Sequence, residues 1–357
     1  AEPNVFAEGE YWLGIIRASY PLYKGGALLG RDVASEGEAQ AKLKFSTAKW
    51  EEKKVYISNI LAKGYIEALQ SKNKAEIYNE IVEKRQKQLD IIQRKRETRT
   101  VTESEILALK YALAKGNEGY KKNKLAYESA IREIVDVAGF EPGTEIELVS
   151  LGDEIPYVMK RDKLVEFALT NRAEISAQHA SVDIAQSQID GLQGALYPEV
   201  NLELTSSYAS GAIDDDISRF TLLSLNASYE FGFQNHTSKN LSAARSIKTY
   251  EEQKLSLIKS EIRREALAAY DGLLNSIETV NVAETEVKRM QYEVRVSNEK
   301  YKGGFLSIGE VIDKENDLLS AELSLVESRY DRWRFFADLQ KSVGHPFSQT
   351  KVSATRK

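Results

Sequence analysis

Residues 255–294 read LSLIKSEIRREALAAYDGLLNSIETVNVAETEVKRMQYEV. Within them Leu255, Ile258, Ile262, Ala266, Ala269, Leu273, Ile277, Val280, Ala283, Val287, Met290 and Val294 recur at steps of three and four residues. The mean step is about 3.5, the period of a supercoiled helical seam. No proline interrupts the chain from Ser238 to Lys300. At about 1.5 Å per residue this predicts roughly 90 Å of helix, far more than a globular core requires. The pattern stops at Lys302-Gly303-Gly304, where paired glycines permit a reversal. A second helix is predicted from about Ser307 to Val343, closed by Gly344 as its C′ residue with Pro346 beyond.

The plan occurs twice. Ala18-Ser19-Tyr20-Pro21-Leu22 aligns with Ala227-Ser228-Tyr229-Glu230-Phe231 at an offset of 209. Further along, Tyr65 aligns with Tyr270, Ile106 with Val311 and Gly139 with Gly344, all at an offset of 205, so 65–139 and 270–344 align without a gap. The difference between the offsets is about one helical turn, which keeps the same helix face in register. The chain is therefore read as a duplicated strand-helix-helix unit, its first hairpin turning at Arg96–Thr102 without glycines.

The strands carry period two. Leu223, Leu225, Ala227, Tyr229, Phe231 and Phe233 alternate with Ser224, Asn226, Ser228, Glu230 and Gly232. Val200, Leu202, Leu204, Ser206 and Tyr208 alternate with Asn201, Glu203, Thr205 and Ser207. In the first unit Trp12, Ile16, Ala18, Tyr20 and Leu22 face one way, and Arg17 and Ser19 the other. Such alternation matches a transmembrane β-strand and also a soluble hairpin half-buried on a core. The segment 210–218, with Gly211 and Asp214-Asp215-Asp216, reads as a hydrated external loop; the aspartates lack the spacing of a calcium loop.

Composition narrows the function classes. The net charge of −5 across 357 residues gives no basic footprint for nucleic acid. Without cysteine there is no disulfide framework, thiol catalysis, Cys-ligated zinc or lipidated N-terminal cysteine in the given residues. His179, His236 and His345 show no metal spacing. Walker, GxSxG, HExxH and dinucleotide patterns are missing, so no enzyme chemistry and no cofactor is implied. No apolar run approaches the roughly 20 residues of a membrane helix, and no charged-then-apolar signal segment opens the chain. Ala1-Glu2-Pro3 fits the remnant of a cleaved signal peptide.

In combination and order, several segments resemble the TolC-like outer-membrane efflux family. Ala195-Leu196-Tyr197-Pro198-Glu199 is similar to its lead-in to a strand, and Ala168-Leu169-Thr170-Asn171-Arg172-Ala173-Glu174-Ile175 to the start of its second unit. Residues 140–148, Phe140 to Leu148, resemble the stretch that begins its equatorial region. Tyr301-Lys302-Gly303-Gly304 followed by Glu310-Val311-Ile312-Asp313 resembles its periplasmic tip. The resemblance implies a mainly α protein with a membrane β-barrel. Three copies would build one twelve-stranded barrel, four strands from each, continued by a long α-helical coiled-coil tunnel. Read on that plan, 1–26 is the first-unit strand region and 27–139 its helical hairpin. Residues 140–164 form the equatorial segment and 165–196 the helix opening the second unit. Residues 197–233 form a barrel hairpin, 234–344 the second helical hairpin and 345–357 a tail. A complete first unit of the family begins with a helix and a strand ahead of 5–22, and the given residues hold neither.

The function implied is a gated duct of a tripartite efflux or type I secretion system. It would sit in the outer membrane of a Gram-negative bacterium, with the helices in the periplasm. Its partners would be a periplasmic adaptor, an inner-membrane pump and outer-membrane lipid. By position Tyr301 fits the family's gate tyrosine, and Glu310 and Asp313 its acidic pair, whose alternative reading is a solvated first turn complementing the helix dipole. Leu306 stands where the family's arginine would be, and Glu105 matches Glu310 in the first unit. Thr98, Thr100, Thr102, Gly303, Gly304 and Ser307 are the expected adaptor-docking residues at the hairpin tips. Trp12, Tyr20, Tyr229, Phe231 and Phe233 are the expected aromatic girdle. The competing expectation is a soluble, elongated coiled-coil scaffold with a small β-element.

Overall fold

A computed structural model of the chain describes residues 12–28, 32–96, 102–152, 155, 160–211, 214–229 and 235–346. In chain order the elements are β1 (Trp12–Lys24), β2 (Ala27–Leu28), α1 (Val33–Arg96), α2 (Glu103–Ala138), α3 (Arg161–Asn171), α4 (Ala173–Gly194), β3 (Glu199–Gly211), β4 (Asp214–Ser228), α5 (Asn235–Lys302) and α6 (Ile308–Ser342). They divide into two units: Ala1–Lys49 with Glu174–Ile258, and Trp50–Ala173 with Lys259–Lys357. No helix among the described residues is long and apolar enough to cross a membrane.

The first unit contains an antiparallel sheet of order β2-β1-β3-β4. Its register separates two faces. Ile16, Ala18 and Tyr20 share one with Leu204, Leu202, Leu223 and Leu225; Arg17 and Ser19 share the other with Thr205, Glu203, Ser224 and Asn226. On the polar face Glu203 binds Arg17 Nε at 2.8 Å, Thr205 Oγ1 at 3.2 Å and Asn226 Nδ2 at 3.0 Å, a rung across three strands. The apolar face stays open: Ile16, Tyr20, Leu204, Leu223 and Leu225 are all exposed in the single chain.

Two expectations for this sheet are corrected. Leu22 does not continue the face of Tyr20, because the ladder slips between Pro21 and Tyr23 and Tyr23 takes the place opposite Val200. Pro21 has no N–H to give the ladder, which makes this a natural position for a bulge. The three aspartates are not in a loop: β4 begins at Asp214, which pairs with Gly211. A ladder between long antiparallel strands uses only main-chain groups, so it carries through a stretch that composition alone assigns to a loop.

The second unit is a helical assembly. Ile262, Ala266, Leu273, Val280, Val287 and Val294 are buried along α5, so the heptad seam is realised. Residues 165–196, expected as one helix, are split at Arg172, whose extended backbone separates α3 from α4. The buried guanidinium of Arg172 donates to Ser342 O at 3.1 Å and pairs with Glu265 at 2.9 Å, so it supplies donors to the carbonyl end of α6. Gly344, at φ 76°, follows that end; its N–H bonds Lys341 O and the next N–H bonds Gln340 O, a Schellman closure. Gly139 (φ 74°) closes α2 by the same pair of bonds, to Asp136 O and Val135 O.

Polar side chains link α1 to α6. Lys63 meets Asp338 at 2.8 Å, Gln70 accepts from Arg334 at 2.6 Å, and Asn73 donates to the Tyr330 hydroxyl at 2.8 Å. Lys74 pairs with Glu327 at 3.3 Å. Close packing of α1 on α2 depends on Gly119, where a Cβ would run into the Tyr78 ring.

Candidate gate at the helical hairpin turns

The ends of all four long helices gather in one apolar knot. Leu89 and Ile92 of α1, Ile106, Leu109 and Ala112 of α2, and Ile308, Val311 and Ile312 of α6 are buried together, with Tyr301 of α5 packed against them. Each fully buried aliphatic side chain stabilises such a cluster by about 1.5–3 kcal/mol.

The two helices that leave the turns start identically. Thr102 Oγ1 accepts from Glu105 N at 3.3 Å, while Glu105 Oε2 accepts from Thr102 N at 2.9 Å. Ser307 and Glu310 form the same reciprocal pair at 3.3 and 2.8 Å. These capping boxes lie at the repeat offset of 205 and satisfy N–H groups that the first helical turn leaves open. The hydrogen bonds from Ser307 hold the Glu310 carboxyl below the usual glutamate range. Glu310 thus has a structural task in its own turn. Thr102 and Ser307, expected as docking residues, are the N-caps.

The second turn closes through Gly304 at φ 76°, with Gly304 N–H on Tyr301 O and Phe305 N–H on Lys300 O. The Phe305 ring projects to solvent, 82% exposed, beside Gly303. The hydroxyl of Tyr301 bonds no described residue. Burial, and after it the charge of Glu105, push its ionisation up, so it stays a neutral phenol. Asp313 is exposed and lines a groove of about 630 Å³ with Tyr111, Lys115 and Asn316. Thr98 and Thr100 lie outside the described residues.

Behind the knot is a polar cluster that the sequence reading missed. Arg85 is 1% exposed and donates to Ala112 O of α2 at 2.6 Å and to Asn316 Oδ1 of α6. Beside it Glu315, 2% exposed, pairs with Lys84 at 2.8 Å and accepts from Gln88 Nε2 at 3.2 Å. Burial pulls the Arg85 guanidinium down and Glu315 pushes it back up; a guanidinium stays protonated in proteins, so it keeps its charge. A signal was available. Arg85 falls in the series Val82, Arg85, Leu89, Ile92, and Glu315 in Ile308, Ile312, Glu315, Leu319, so each charge occupies a seam position.

The expected girdle residues lie in the first unit. Tyr20 is exposed on the apolar face opposite Leu202, and Tyr229 follows the end of β4, also exposed. Both stand toward the end of the sheet that continues into α1 and α5. The backbone of Trp12 lies at the other end, opposite Ser210, and Phe231 and Phe233 fall outside the described residues.

Comparison with known proteins places this arrangement. No curated protein sequence matches the chain. The Vibrio cholerae outer membrane protein VceC has the same fold, with TM-score 0.75 at 15% identity over 95% of this chain and 88% of that one. The Campylobacter jejuni CmeC outer membrane channel gives 0.77 at 13% identity, covering 96% and 79%. The Neisseria gonorrhoeae MtrE outer membrane channel, in its open state, gives 0.75 at 15% identity, covering 95% and 80%. The profile described as "Outer membrane efflux protein" matches residues 164–345, from α3 through α6 and just over half of the sequence. The chain belongs to the outer membrane efflux protein family.

Proposed function

We propose that the chain is the outer-membrane duct of a tripartite efflux or type I secretion system, exporting small molecules or proteins. The profile match across α3 to α6 carries this reading and favours it over a soluble coiled-coil scaffold. A member of this family is a transport protein, not an enzyme. The open apolar face of the sheet and the polar rung behind it give the reading physical support: one face suits lipid, the other a hydrated lumen.

Three copies assemble a barrel from the strand regions 1–26 and 197–233. The hairpins 27–139 and 234–344 form a coiled-coil tunnel in the periplasm, with 140–164 as the equatorial segment and 165–196 opening the second unit. Tyr20 and Tyr229, with Trp12, Phe231 and Phe233, form the girdle in outer-membrane lipid. Tyr301, Glu310 and Asp313 form the gate, where repeated acids favour cations. Thr98, Thr100 and Thr102 at one turn, and Gly303, Gly304 and Ser307 at the other, receive the tip of a periplasmic adaptor linked to an inner-membrane pump. Gly304→Val is expected to weaken that docking and lower export in a complementation assay; unchanged export removes the docking assignment.

The deciding experiment is the mass of the detergent-extracted protein by light scattering, corrected for bound detergent. The duct requires three times the 40.1 kDa chain and precipitation when detergent is removed. A species of one or two chains that needs no detergent overturns it.

A further inference from the structure

Arg85 is the most deeply buried charged side chain among the described residues, and its counterpart at the repeat offset of 205 is Met290. The same seam position is therefore filled by an apolar side chain in one repeat and by a guanidinium in the other. Burying a charge costs solvation that pairing often fails to recover, and apolar replacements of such groups are frequently neutral or stabilising. Stability therefore does not explain Arg85. Its partners do: Ala112 on α2 and Asn316 on α6 are held through one side chain of α1.

Two atoms of this cluster are buried without a partner among the described residues. They are of opposite kind: Arg85 Nε, a donor, and Gln88 Oε1, an acceptor. Residues three apart on a helix share a face, so each lies within reach of what the other needs. In the observed arrangement that pair is not made, and the remaining atoms of both side chains are engaged elsewhere. Arg85 turns its terminal nitrogens to α2 and α6, and Gln88 gives its amide N–H to Glu315. The cross-helix contacts are thus made at the expense of a pair that α1 can form by itself. An element with two alternative sets of hydrogen bonds is what a two-position joint requires.

We propose that Arg85 is the positioning residue of the gate, an inference that rests on the duct reading above. In the observed position it fixes the first turns of α6, where Asp313 lies three residues before Asn316 on the same face. When α6 moves away, Arg85 Nε–H turns to Gln88 Oε1 and the hold on Asn316 is released. The hold lies behind the apolar knot, while the turn itself carries Leu306, which forms no ion pair.

The test uses the full-length protein reconstituted in planar bilayers, beside its melting temperature in detergent. Arg85→Met, which installs the residue of the other repeat, is expected to leave the melting temperature unchanged or raised while open-channel events increase about tenfold. Asn316→Ala is expected to act in the same direction. Arg85→Lys, which lacks the planar fork, is expected not to restore the parent's closure. Lys74→Cys with Glu327→Cys, an α1–α6 pair outside the cluster bridged by a short thiol cross-linker in this cysteine-free chain, is expected to suppress opening until the bridge is cleaved. Recordings of Arg85→Met and Asn316→Ala that match the parent overturn the proposal, as does a bridged pair that opens freely. If Arg85→Met does not assemble, Asn316→Ala and the bridge decide. A parent protein that never conducts refutes the duct reading itself, a separate result.

Discussion

The two helical hairpins descend from one plan and differ in an instructive way. Their terminations are the same: Thr102 and Ser307 cap, Glu105 and Glu310 answer, Gly139 and Gly344 close. Their bodies are not. Arg85 corresponds to Met290, the exposed Lys110 to the buried Glu315, Ala108 to Asp313 and Gly119 to Ser324. Caps solve a problem local to each helix, the open N–H and C=O groups at its ends, and that problem is the same in both copies. Residues along a helix answer to whichever helix lies opposite, and that neighbour need not be the same in the two hairpins. The differences named here fall on α1, α2 and α6, the helices that carry the candidate gate cluster.

Substitutions that exchange or erase these differences test the comparison. The largest effect is expected from Glu315→Ala, which removes the buried carboxylate that pairs with Lys84 and accepts from Gln88; losing a buried hydrogen bond to a charged group costs about 1.5–3 kcal/mol. The counterpart change, Lys110→Ala on an exposed face, is expected to stay within about 0.5 kcal/mol. Urea midpoints in detergent measure both. Equal effects would mean that the two positions are energetically alike.

Gly119→Ser comes next, since it installs the residue of the other repeat. Its Cβ alone would run into the Tyr78 ring, so the ring or the helices must shift, at a cost of about 1–3 kcal/mol. The reverse exchange at the exposed Ser324, to Gly, costs only helix propensity, about 0.5 kcal/mol. Melting temperatures separate the two cases.

The caps should respond alike. Thr102→Ala and Ser307→Ala are each expected to cost about 1 kcal/mol. Glu310→Gln keeps an acceptor for the box and should leave the melting temperature nearly unchanged. If Glu310 also faces the pore, the same variant lowers cation preference in reversal-potential measurements; an unchanged potential leaves it only the capping task.

The smallest effect is the pH dependence of that cap. The Glu310 carboxyl ionises below its unfolded value, so its contribution is present above the ordinary glutamate pKa and is lost as pH falls through the depressed folded value. The melting temperature of Glu310→Gln should therefore fall less than the parent's on acidification below about pH 4. Parallel curves would mean that Glu310 does not titrate through the cap.

The lengths of the helices, the duplication, the glycine closures and the two faces of the sheet were legible because each rests on neighbours a few residues away. A 3.5-residue period, a capping box and a Schellman glycine are complete within one or two turns of chain. The same locality explains the corrected readings. Three aspartates look like a loop by composition, yet pairing with the opposite strand draws Asp214 into β4, and Pro21 alone does not announce how its partner strand absorbs the bulge. Arg172 reads as one more helical residue until the carbonyl end of α6 lies against it. Of the candidate gate, the sequence by itself placed Tyr301, Glu310 and Asp313 near a turn and left Arg85 and Glu315 as two charges in apolar series. Only the tertiary structure decided that they meet, because Asn316 is 231 residues from Arg85 and Glu315 is 227 from Gln88. No local pattern specifies a partner at that separation; packing four helix ends into one knot does.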